Sequence, residues 1–176
     1  IVLAKNMTGL RNLYRLVTLS HLKFYRKRPL IPKAIMEELR EGIILGSACV
    51  VGEFFQAVLQ GKSDEELIEI AKFYDYLEVQ PIGVHTVAIG NNSFLINDDK
   101  YPEVTSERDL QELNKKVIDI GEKTGIPVCA TSDAHYLFRE DRVNRDILLS
   151  MWEKPGKIDS HPSVYLRTTQ EMLDEF

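Results

Sequence analysis

The stretch IPVCATSDAH, residues 126–135, decides how the chain is to be read. Ile126 to Ala130 is an apolar run of the length and composition of a buried strand, and Cys129 inside it reads as a core residue. Thr131 to His135 then turns abruptly polar. Asp133 and His135 stand one residue apart, so in extended backbone their side chains point the same way and can converge on one ion. A carboxylate oxygen with an imidazole nitrogen suits zinc, manganese or iron. Taken alone, Asp-x-His is also what a strand-end cap looks like.

Working outward, Ser106 caps a helix whose Leu110, Leu113, Val117 and Ile120 recur at helical spacing and which stops near Gly121 or Gly125. On the other side, Arg139 to Trp152 reads as a helix with Val143, Ile147, Leu148 and Met151 as its stripe. Ser163 to Arg167 is a short strand, and Thr168 with Glu171 makes a capping box. Towards the start, Ile1 to Ala4 reads as a buried strand, and Thr8 as the N-cap of a helix over residues 9–23. A short helix follows over 33–40, then the strand Gly42 to Ala48 and a helix Glu53 to Leu59. Ser63 with Glu66 forms another capping box, and Tyr76 to Gln80 is a strand ended by Pro81. Residues 83–105 show no periodicity and read as a surface excursion. Strands alternating with helices predict an α/β fold with parallel pairing through right-handed crossovers.

The 176 residues, 44% hydrophobic, suffice for one core. The chain opens on Ile1 with a strand under way, so it is expected to be part of a longer one. No apolar run approaches a membrane span and no signal-peptide layout is present, which predicts a cytoplasmic protein without membrane contact. Cys49 and Cys129 lie too far apart for a zinc-finger spacing and read as reduced thiols. The net charge of −5 hides an asymmetry. Residues 1–40 carry nine Lys or Arg against Glu37 and Glu38, about +7, and the remaining residues carry thirteen against twenty-five, about −12. The run Arg26, Lys27, Arg28 can attract phosphate and is the candidate nucleic-acid contact, although a solvated face explains it equally well.

In parallel α/β folds, chemistry gathers at the C-terminal ends of strands. Three stretches stand there: GSAC (46–49), LEVQP (77–81) and TSDAH (131–135). Cys49 either completes a site with Asp133 and His135 or is a small core residue. Glu78 alternates with Leu77 and Val79, and if it points inward it needs a metal or a cation as partner. Glu53 reads as an exposed first-turn acid. His21, His85 and His161 read as surface or loop residues. Neither GxSxG nor GxxxxGK[ST] occurs, which removes the serine-hydrolase and P-loop readings, and no residue is assigned a catalytic role.

Five blocks in order, LAKNMTGLRNLYRLVTLSHL, GIILGSACVVGEFF, AKFYDYLEVQP, GEKTGIPVCATSDAHYL and VYLRTTQEMLDEF, resemble the PHP (polymerase and histidinol phosphatase) domain of bacterial replicative DNA polymerase III alpha subunits, of the PolC type. The resemblance covers nearly all of the chain apart from 83–105. It implies residues 1–176 as the part of a PHP domain that resumes after an inserted 3'-5' exonuclease domain, within a distorted (β/α)7 TIM-like barrel. It further implies Cys49, Asp133 and His135 as metal ligands, for zinc or manganese, with the remaining ligands elsewhere in the longer chain. The expected partners are the exonuclease and polymerase domains of the same polypeptide, and DNA through them. The function so implied is a mainly structural part of a replicative polymerase; the rival reading is a metal-dependent phosphoesterase of the PHP class.

Overall fold

A computed structural model describes residues 1–86, 104–151 and 161–176. The chain divides into two compact units: residues 1–46 with 73–75, and residues 47–72 with 76–176.

In the first unit, β1 (Val2–Ala4) pairs antiparallel with β2 (Ile43–Leu45), Val2 opposite Leu45. The expected parallel crossover is therefore absent from this pair. Between them run α1 (Met7–Leu22) and α2 (Lys33–Glu38). Asn6, not Thr8, caps α1: its side-chain oxygen accepts from the Gly9 N–H at 2.9 Å, which satisfies a donor that the first turn leaves open. The inward stripe of α1 is unusually small, with Gly9, Asn12, Leu16 and Ser20 buried. Smallness is required at Gly9, where a Cβ would lie 1.7 Å from the Gly42 carbonyl oxygen. Gly42 itself takes φ +73°, open to glycine at little cost. Leu16, Met36, Leu39, Ile43 and Leu45 form the core, with Val2, Ile35, Phe73 and Tyr74 packed on it. Asp75 fastens the end of β2, accepting from the Leu45 N–H at 2.6 Å and from Arg40 at 2.8 Å.

In the second unit, β3 (Leu77–Val79) pairs parallel with β4 (Val128–Ala130), Glu78 opposite Cys129. Here the predicted parallel pairing is found, and α5 (Ile82–His85) and α6 (Glu107–Thr124) lie between the two strands along the chain. Reciprocal bonds between Ser106 and Asp109 cap the start of α6, and Gly125 at φ +70° ends it. Its buried face is Leu110, Asn114, Val117, Ile120 and Gly121. Against it pack α3 (Glu53–Leu59) and α4 (Asp64–Ala71), the latter opened by the expected Ser63–Glu66 box. Asp64 also binds Lys116 and Lys123 of α6, and these ammonium groups hold its carboxyl down to about 2.

The C-terminal region departs from expectation at two elements. The predicted helix over 139–152 is a 3-10 turn at Arg139–Asp141 followed by α7 (Arg142–Leu149), and its stripe of Val143, Ile147, Leu148 and Met151 is exposed. Trp152 lies outside the described residues. The predicted strand 163–167 contributes only a bridge from Tyr165 to Tyr136, before α8 (Thr169–Asp174) starts at its Thr168–Glu171 box. Residues 83–86 and 104–105 of the predicted excursion are described. They include buried Val84, His85 and Val104, so those ends belong to the core. Residues 87–103 lie outside the described part.

The observed class is mixed α/β with two two-stranded sheets. No closed barrel is formed among the described residues.

Candidate functional site at the ends of β3 and β4

The ends of β3 and β4 bring together most of the residues singled out in the sequence. β4 stops at Ala130, and Thr131 still donates its N–H to Val79 at 3.0 Å before the backbone turns away. Asp133 then adopts φ +45°, a left-handed conformation that Asp tolerates better than most residues. The extended geometry expected for Asp-x-His is therefore not how the pair converges. A tight loop does it instead, placing Asp133 Oδ1 3.6 Å from His135 Nε2. The loop is pinned by His135, whose N–H donates to the Val164 carbonyl at 2.7 Å. Both side chains reach solvent, with 31% and 51% of their surfaces exposed.

Cys49 lies close enough to Asp133 and Glu78 to feel both charges. Burial pushes its thiol up, and the two carboxylates add to that. It is half-buried. Cys129, expected in the core, is instead exposed on β4. Among the described helices, α6 packs against this strand.

Glu78 is 7% exposed, as deeply placed as its apolar neighbours Leu77 and Val79. Among the described residues its side-chain partners are hydroxyl groups. Thr131 Oγ1 donates to its Oε2 at 2.8 Å, and the Tyr76 hydroxyl bonds to it as well. Burial, reinforced by Glu78, pushes the Tyr76 phenol up to about 12, so it stays a donor at any physiological pH. The Glu78 N–H donates to Ser47 Oγ at 2.9 Å, which ties the GSAC segment to β3. Reading residues singly missed Thr131, Tyr76 and Ser47. The parallel register of β3 on β4 was the signal that would have set Thr131 beside Glu78.

His85, read as a surface residue, is 1% exposed. Its ring packs on Phe55 with centroids 4.4 Å apart and shares a 3.3 Å hydrogen bond with Gln80, while Nδ1 is buried without a partner among the described residues. Burial lowers its pKa to about 4. Glu53 and His21 are exposed, as expected. Arg26, Lys27 and Arg28 belong to the first unit, exposed on the loop that follows α1.

As a metal centre, this donor set is partial. Asp133 and His135 converge and Cys49 adds a neighbouring sulfur, but among the described residues no three His, Cys, Asp or Glu side chains come together in a set that could hold a metal ion.

Residues 1–81, a little under half of the chain, match the PHP domain family. Over its whole length the chain is 48% identical to the DNA polymerase III PolC-type of Clostridium perfringens, 42% to that of Bacillus subtilis over 99% of the chain, and 40% to that of Staphylococcus epidermidis over 99%. It spans only 11–12% of the length of these relatives. The chain is thus similar throughout to one segment of the PolC-type polymerases, and that segment includes PHP-domain sequence. None of the described helices is long and apolar enough to cross a membrane.

Proposed function

We propose that the chain is the PHP segment of a PolC-type replicative DNA polymerase, and that its own part there is chiefly structural. The 48% identity across all 176 residues carries this reading. The buried hydroxyl–carboxylate network around Glu78 supports the structural part, because it uses the one acid buried among the described residues to hold two segments in register. The exonuclease and polymerase domains of the same polypeptide are its neighbours in this reading, DNA is met through them, and the cytoplasm is its compartment. The PHP barrel is completed by strands outside the chain. The test is to isolate the native polypeptide that contains this sequence and assay it on a primed template. A polypeptide roughly nine times longer that extends the primer is expected; one of about this length that extends nothing refutes the reading.

A second reading, a metal centre in the longer protein, is favoured by the approach of Asp133 to His135 beside Cys49. Asp133, His135 and Cys49 would be the ligands from this chain, with zinc or manganese suiting an O, N, S set. Bound metal there would supply Lewis-acid chemistry for phosphoester hydrolysis, the phosphoesterase alternative. Plasma mass spectrometry on the intact protein distinguishes the two. Metal lost in an Asp133→Ala, His135→Ala double variant supports the centre, and unchanged metal content excludes these residues as ligands.

A further inference from the structure

We infer that the exposed face of α1 and the loop after it form a docking surface for single-stranded nucleic acid, an inference that rests on the polymerase reading above. The first 36 residues contain eight Lys or Arg and no Asp or Glu at all, in a chain whose net charge is −5. Helical geometry divides α1 sharply. Asn12, Leu16 and Ser20 turn inward, which leaves Arg11, Tyr14, Arg15 and Leu22 exposed on the other side. The same character continues past the helix end, where Tyr25, Arg26, Lys27 and Arg28 are all exposed. Among the described residues, none of the cations at 11, 15, 26, 27 and 28 makes an ion pair with a carboxylate.

The loop shows how the cations are presented. Arg26 and Arg28 pair through their backbones, the Arg26 N–H donating to the Arg28 carbonyl at 3.0 Å, and Lys27 at the tip has φ +61°. A left-handed lysine costs about 1 kcal/mol or more where glycine would cost little. The turn nonetheless carries a lysine, so three adjacent cations are splayed outward. A solvated helix face needs neither exposed tyrosines nor a complete lack of acids. Exposed cations with aromatic rings among them are what an unpaired strand requires: charge along its backbone and flat surfaces on which bases stack. A double helix buries its bases and would leave Tyr14 and Tyr25 unused.

The experiment uses the full-length polypeptide and a labelled oligothymidylate. Replacing Tyr25 by the photoreactive p-benzoylphenylalanine is expected to give a light-dependent crosslink to the oligonucleotide that disappears in high salt. In the triple variant R26A/K27A/R28A the slope of log affinity against log salt becomes shallower by about 2, from three lost phosphate contacts. Tyr25→Ala lowers affinity roughly tenfold. All variants are expected to keep the circular dichroism spectrum and melting temperature of the parent, which shows that they fold. A crosslink only to another part of the same polypeptide, or a triple variant with the wild-type salt slope, overturns the inference. A wild-type protein that binds oligothymidylate through this surface but extends no primer refutes the polymerase reading instead.

Discussion

His85 shows how strongly one side chain can couple this fold to pH. Its ring is held neutral by burial, with a pKa of about 4 against 6.5 for the free residue. At pH values below 6.5 the unfolded chain therefore binds a proton that the folded chain refuses, and stability falls until the folded pKa is reached near 4. At 1.36 kcal/mol per unit, the loss across that window is about 3 kcal/mol. His85→Phe keeps a ring against Phe55 but has no proton to gain, so urea-unfolding free energies measured at pH 7 and pH 4.5 should diverge less in the variant than in the parent. Equal declines in both proteins would remove His85 as the cause. No local pattern marked this residue: IGVH is short, and its histidine is buried by Phe55, thirty positions away. Glu78 is similar. Its alternation with Leu77 and Val79 was visible, but the Thr131 hydroxyl that satisfies it is 53 residues further on.

At the scale of elements, α1 and the turn before β2 approach each other closely. Gly9 and Gly42 meet there backbone to backbone, and Lys5 donates its N–H to the Gly42 carbonyl at 2.8 Å. A methyl at Gly9 would overlap that same carbonyl, and no flexible side chain stands between them to yield. Gly9→Ala should therefore destabilise by about 3 kcal/mol or more despite the better helix propensity of alanine. Thermal unfolding followed by circular dichroism measures it; a variant as stable as the parent would show that the helix can move away at no cost. Helix starts, by contrast, were plain in the sequence. Ser63, Ser106 and Thr168 each cap as read, because a capping side chain reaches only two or three residues along its own chain. Thr8 failed for an equally local reason: Asn6 stands two residues earlier and bonds to Gly9.

For the whole molecule, a scaffold should tolerate loss of stability better than loss of shape. Phe54 on α3 is completely buried, and Phe54→Ala should cost about 3–5 kcal/mol through the cavity it leaves. In the full-length protein, a lower melting temperature is expected, with an unchanged rate of primer extension per folded molecule well below the transition. A specific fall in that rate would mean that the segment takes part in synthesis itself. The α/β class, most of the elements and their order, and the family resemblance were set by the sequence alone, since propensity, capping and periodicity act over a few residues. Only the tertiary structure decided that β1 and β2 run antiparallel, that His85 is buried and Cys129 exposed, and that Asp133 meets His135 through a left-handed turn. Each of these depends on which distant segments come to lie together, and burial and pairing direction are properties of that meeting rather than of either segment.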